Sequence, residues 1–165
     1  MGQLRAILVF AVLAATLGAP LESYGVEQHF FRISLPPGWV EVTPSAAGRF
    51  VYQNRSENRQ LTISAFDLPR PMDVATFDHF VSVRVEAERK ELQGSGEVKI
   101  GEAQRTATVQ RVLFFVTEKQ PGRFATGAIT AIPNRVATFY LESVGGTREA
   151  HDAAAHAILD SGQVR

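Results

Sequence analysis

The chain is 165 residues long, carries 17 basic and 17 acidic side chains, and contains no cysteine. The missing thiols exclude disulfides, thiolate metal ligation, a cysteine nucleophile and a lipidated amino-terminal cysteine. Balanced charge without a long run of one sign argues against a nucleic-acid surface, which needs clustered Lys and Arg, and no basic amphipathic helix marks an anionic membrane surface.

Met1 to Arg5 supplies a basic start, and Ala6 to Ala15 is an unbroken apolar run. A helix that crosses a bilayer needs about 20 apolar residues. This run is shorter, and the pattern is that of a secretory signal. Ser23-Tyr24-Gly25 places small residues at the third and first positions before a cut, which predicts a mature chain beginning at Val26. A cut after Ala19 fits less well, because Leu17 is large and Pro20 would follow it. The alternative is a retained amino-terminal membrane anchor. The expected organisation is a signal peptide over 1–25 and a single domain over 26–165, exported to a periplasm or the extracellular medium. A domain of about 140 residues buries roughly two thirds of its unfolded surface, enough for a core without covalent staples. Bacterial exported proteins often lack disulfides, so the composition agrees with export.

In the mature chain, Phe30 to Leu35 reads as a strand with Phe31, Ile33 and Leu35 on one face. Pro36-Pro37-Gly38 stops it, and Trp39 to Val42 follows. Arg49 to Asn54 and Gln60 to Phe66 read as a hairpin around a polar turn, with Leu61, Ile63 and Ala65 as the apolar face of the second arm. Asp73 is a predicted N-cap. Val74, Phe77, Val81, Val85, Glu88 and Leu92 fall at helical spacing behind it, all apolar but Glu88. Glu86 and Lys90 are spaced to pair on the wet side, and Gly94-Ser95-Gly96 is expected to end the helix.

Four strands are predicted next: Glu97 to Ile100, Thr106 to Thr117, Phe124 to Ile132 and Arg135 to Val144. Val112 to Val116 is apolar at every position, so both faces of that strand need cover, and it is expected to be central. Pro121-Gly122 and Pro133-Asn134 are turn signals whose short reach implies antiparallel neighbours. A second helix is expected over Arg148 to Leu159. Thr147 would be its cap, Ala150, Ala154, Ala157 and Ile158 its apolar stripe, and Gly162 its C′ residue. The elements predict an α+β fold: a three-layer α/β/α sandwich with a mostly antiparallel central sheet and two main helices. A cystatin-like or other helix-on-sheet domain is the alternative, and a final helix far from the sheet would favour it.

Phe31-Arg32-Ile33-Ser34-Leu35-Pro36-Pro37-Gly38-Trp39 resembles the opening of PsbP-like (DcrB-like) domains, whose first strand often ends in a Leu-Pro-x-Gly-Trp turn. The element order from Gln28 to Ser161 is similar to theirs as well. The resemblance implies an α/β/α sandwich around an antiparallel sheet. It implies no catalytic constellation and carries no site residue onto this chain, because members of the family bind quite different partners. Physically, Pro36 and Pro37 fix φ, Gly38 permits the turn, and Trp39 is expected to fold over the core. The other reading of Trp39 is an exposed aromatic platform for a ligand.

Candidate chemistry is sparse. The four histidines are His29, His79, His151 and His156. His151 and His156 are five apart, so on a helix they point about 140° away from each other and do not grip one ion. His156 and Asp160 can pair as surface decoration. Asp67, Asp73, Asp78 and His79 form the densest acid/His group. A carboxylate–His base is conceivable there, but no nucleophile motif accompanies it, and Gly94-Ser95-Gly96 lacks the strand-to-helix elbow. Acids favoured at a helix start explain the group as well. Gly145-Gly146 lacks the remainder of a phosphate loop. Asn54-Arg55-Ser56 matches the glycosylation sequon at an expected hairpin tip. Arg49, Arg55, Arg59 and Arg70 surround the first hairpin, and Arg105, Arg111, Arg123 and Arg135 the later strands. They would line an anionic-ligand groove if the sheet gathers them; otherwise they are solvated edge residues that discourage aggregation.

The sequence thus predicts an exported, non-enzymatic cell-envelope or secreted protein that binds a protein partner or a small ligand. It assigns no catalytic residue, metal ligand or cofactor. The alternative is a small metal-dependent or carboxylate/His hydrolase.

Overall fold

The computed structural model describes residues 24–28, 30–46, 48–93, 96–120 and 122–165. His29, the Gly94-Ser95 pair, Pro121 and nearly all of the expected signal peptide lie outside the described residues.

The chain opens with β1 (Tyr24–Glu27) and β2 (Phe31–Leu35), which pair antiparallel. Gly38 then turns the chain at φ +90°, a left-handed conformation that glycine adopts without penalty. β3 (Val40–Ala46), β4 (Arg49–Asn54) and β5 (Arg59–Asp67) form a meander. Helix α1 (Val74–Leu92) starts where the Asp73 side chain accepts from the Thr76 amide at 2.7 Å. That bond is the main reason the Asp73 carboxyl lies below its ordinary range. The helix ends at Leu92, with Gln93 as the left-handed residue at φ 49°.

β6 (Glu97–Ile100), β7 (Gln104–Arg105), β8 (Gln110–Gln120), β9 (Arg123–Ile132) and β10 (Arg135–Val144) follow. Helix α2 (Arg148–Leu159) is capped by Thr147, whose hydroxyl accepts from the Ala150 amide, and β11 (Gln163–Val164) returns to pair with β2. The fold is mixed α+β and dominated by strands. A large sheet runs β3-β4-β5-β10-β9-β8-β6, with β7 beside β8, and a small one runs β1-β2-β11. All of these pairings are antiparallel.

Period-2 alternation sends residues of one strand into two separate apolar clusters. On β10, Ala137, Phe139 and Leu141 join one cluster, while Val136 and Tyr140 join the other. The first holds Phe31, Ile33 and Leu35 of β2 and Ala155, Ile158 and Leu159 of α2. The second holds Phe77, Val81, Val85 and Leu92 of α1. Trp39 is 4% exposed and lies in the first cluster, so it is a core residue and not a platform.

Several expectations need correction. β8 begins at Gln110, not Thr106, and it lies next to the short edge strand β6, while β10 holds the middle of the sheet. Its apolar run reports cover on both faces, which does not fix lateral position. Val112, Phe114 and Val116 meet the α1 cluster, whereas Leu113 packs against the other. The buried stripe of α2 is His151, Ala155, Ile158 and Leu159, with Ala154 half-buried, whereas Ala150 and Ala157 are exposed. Gly162 is not a left-handed cap. A Cβ there would stand 3.3 Å from the Phe139 ring, so its role is close approach. Val74 is 49% exposed, outside the α1 stripe that begins at Phe77. Glu86 has Arg89 as its ion-pair neighbour at 3.8 Å.

Candidate functional site

Helix α1 packs against β8 and β6, at one side of the large sheet. On that face β4, β5 and β10 present the positions between their core residues. β5 offers Gln60, Thr62, Ser64 and Phe66, alternating with buried Leu61, Ile63 and Ala65. Cross-strand register sets Thr62 beside both Val51 and Tyr140, and Ser64 beside both Arg49 and Thr138. The result is a groove of about 510 Å³ with a floor of hydroxyl and amide side chains, walled by Phe80, Arg84 and Glu88 of α1. Phe66 and Phe80 lie across one part of it with ring centroids 6.1 Å apart.

The wall contains a charge sunk below the surface. Glu88 is 1% exposed, although it is the one charged residue in the α1 stripe. Arg84 Nη2 stands 2.5 Å from one carboxylate oxygen, and the Tyr140 hydroxyl donates to the other at 2.8 Å. A buried carboxylate requires such partners, because desolvation otherwise exceeds what packing returns. Burial, then the charge and hydrogen bond of Glu88, push the Tyr140 hydroxyl far above its ordinary value, so it remains a donor. The Arg84 guanidinium also lies over the Tyr140 ring, 5.4 Å from its centroid, and 6.0 Å from that of Phe114. Phe114 in turn occupies the space a side chain at Gly127 would need: a Cβ there would fall 2.1 Å from its ring. The chain from Gly127 through Phe114, Tyr140 and Arg84 to Glu88 thus fixes the groove wall.

A second depression, about 550 Å³, continues from the groove at the β4–β5 turn and shares Gln60, Arg123 and Glu142 with it. Arg55 and Arg59 line it, so the sheet gathers Arg55, Arg59 and Arg123 there and brings Arg49 to the groove. The remaining arginines are elsewhere. Arg70 is exposed, and Arg105 pairs with Asp78. Arg111 closes the end of α2 by donating to the Leu159 carbonyl at 2.6 Å and to that of Gly162 at 3.2 Å, and Arg135 pairs with Asp67 at 2.6 Å.

The acid/His group does not converge. Asp67 faces Arg135, Asp73 caps α1, Asp78 faces Arg105, and His79 is exposed on the helix. Among the described residues no three His, Asp or Glu side chains are grouped to hold a metal ion. His156 and Asp160 approach to 3.5 Å on the exposed side of α2. The sequon asparagine is unsuited to glycosylation as it stands. Asn54 is 3% exposed, and its Oδ1 accepts from the Ser56 hydroxyl at 2.7 Å and the Glu57 amide at 3.3 Å.

His151 is the histidine that packing singles out. It is buried, with Nδ1 2.8 Å from the Ser143 hydroxyl and Nε2 3.0 Å from that of Thr126. Its environment is closed under α2, which makes this a structural network. The groove, by contrast, was not visible from sequence reading, although two signals pointed toward it. One is the polar alternate face of Gln60, Thr62 and Ser64; the other is the lone Glu88 within an apolar helical stripe.

An antiparallel sheet of this order with two helices defines a mixed α+β scaffold. The particular scaffold is PsbP-like. The solution structure of cyanobacterial PsbP (CyanoP) from Synechocystis sp. PCC 6803 is similar, with a TM-score of 0.67 at 13% identity, covering 91% of this chain and 96% of that one. The structure of the Saccharomyces cerevisiae Ran-binding protein Mog1p is similar with a TM-score of 0.52 at 12% identity, covering 87% of this chain and 96% of that one. No family model and no curated relative matches the sequence. No helix among the described residues is long and apolar enough to cross a membrane.

Proposed function

We propose that this chain is an exported, non-enzymatic protein of the cell envelope or extracellular medium, built as a three-layer α/β/α sandwich, that binds a protein partner across the half of its sheet beside α1. The observation that carries this reading is the groove itself. A folded sheet face with Thr62, Ser64 and Thr138 on its floor lies beside the helix, not beneath it. Exposed Phe66 on β5 and Val40 and Val42 on β3 add apolar surface to a polar floor, the composition of a non-obligate interface. Mog1p, a Ran-binding protein of similar fold, supports a protein as the occupant.

Thr62→Trp tests the reading, because it fills the groove from a strand position that tolerates an aromatic residue. Native mass spectrometry of the protein purified from its own envelope or medium is expected to show a bound polypeptide on the parent. The Thr62→Trp variant, melting like the parent, is expected to lose it. A bare parent, or a polypeptide retained equally by both, rejects the reading. A bound small molecule in its place would make the groove a ligand site.

Export is tested separately. The cut after Gly25 would remove Tyr24 and Gly25 from β1 and leave Val26 and Glu27 opposite Ile33 and Arg32. Amino-terminal sequencing of the exported product is expected to begin at Val26; any other start refutes that cut.

A further inference from the structure

The depression at the β4–β5 turn is basic. Three guanidinium groups, those of Arg55, Arg59 and Arg123, line it against the single carboxylate of Glu142. Their present commitments differ. Arg59 is anchored: its Nη1 donates to Glu57 and its Nη2 to the Ala150 carbonyl at 3.2 Å. Arg55 is exposed at the turn and makes no side-chain hydrogen bond or ion pair among the described residues. Arg123 Nη2 is 3.6 Å from Glu142, beyond the ~2.7–2.9 Å of a charge-assisted hydrogen bond. The Nε–H of Arg123 is enclosed without an acceptor, as is that of Arg59. An enclosed donor without an acceptor is costly, so reorienting Arg123 toward a new oxygen gains hydrogen bonds instead of sacrificing them.

We infer that this depression binds a small oxyanion, the phosphate or carboxylate group of a soluble ligand. Arg55 and Arg123 close on it, while Arg59 stays anchored by Glu57 and the Ala150 carbonyl. Planar guanidinium forks match both anions in bidentate geometry, which is why arginine suits this task and a lysine would serve less well. A volume of about 550 Å³ admits a ligand larger than the bare anion. This inference does not require the protein-partner reading, because Thr62 is not among the residues that line the depression.

Isothermal titration of the full exported chain at low ionic strength, with inorganic phosphate and separately with citrate, tests it. Saturable binding of at least one anion is expected, weakened by about tenfold or more in Arg55→Gln/Arg123→Gln, the loss of a charge-assisted contact. Binding of phosphate alone assigns a phosphorylated ligand, of citrate alone a carboxylate ligand, and of both the shared oxyanion chemistry. No saturable binding by the parent, or equal binding by the double variant, overturns the inference. Should the double variant fail to fold, Arg55→Gln alone decides. It removes an exposed side chain with no intramolecular partner among the described residues, so unchanged anion affinity in that folded variant overturns the inference too.

Discussion

Lowering the pH from 7 toward 4 is expected to remove about 3 kcal/mol of folding stability through His151 alone. The side chain is 1% exposed and bonded through both ring nitrogens. Burial first, then the neighbouring Arg148, lower its pKa from 6.5 to about 4; Asp152 opposes and Arg59 adds slightly. The sign follows from proton uptake. Between about 6.5 and about 4 the unfolded chain binds a proton that the folded chain refuses, so stability falls as pH falls through that window. Above it, both states are neutral and His151 contributes no pH dependence. Below it, both are protonated and the loss is complete.

Asp73 and Glu149, whose carboxyls also lie below their ordinary range, lose stability in the same direction at lower pH. Comparison with His151→Gln separates the contributions, since glutamine keeps a donor and an acceptor but does not titrate. Urea unfolding at pH 7 and pH 4.5 is expected to show a marked loss in the parent and a clearly smaller one in the variant. Equal losses would show that His151 is not the sensor.

Trp39→Ala is expected to cost about 3–5 kcal/mol, the range for removing a large aromatic from a packed core. Trp39 belongs to the cluster that includes Phe31, Phe50 and Phe139, where the Phe31 ring meets Phe50 at 4.9 Å and Phe139 at 5.9 Å, both edge-on. Trp39 is buried in that cluster at the connection from β2 to β3, so its loss leaves a cavity where the two sheets are joined. Chemical denaturation measures the effect. A midpoint unchanged from the parent would mean that the site collapses without cost, and would remove Trp39 from the list of core determinants.

The elements that sequence reading placed correctly carry a local signal. The Asp73 and Thr147 caps, the Leu61-Ile63-Ala65 face and the Phe77-Val81-Val85-Leu92 stripe are all periodic or positional patterns within one segment. The errors share a cause as well. β1 and β11 are short strands held by β2: four residues carry too little period to be read as a strand, and nothing in the two of β11 announces a partner at the other end of the chain. The spacing of His151 to His156 says nothing of its role, which is set by Thr126 and Ser143 arriving from β9 and β10 to bond it. Arg55, Arg59 and Arg123 were legible as arginines near strands, but their meeting depends on β10 lying beside β5 and β9 on its two sides.

The sequence by itself determined the alternation of elements, the PsbP-like opening from Phe31 to Trp39, and the α+β class, because dihedral preference, capping and hydrophobic period act over a few residues. Only the tertiary structure decided that α1 lies toward β8 and β6, that β5 and β10 keep a polar face beside it, and that Glu88 is sunk between Arg84 and Tyr140. Those outcomes turn on strand order and on which neighbour excludes water from a given side chain, and pairings between residues tens of positions apart leave no period in the chain to read.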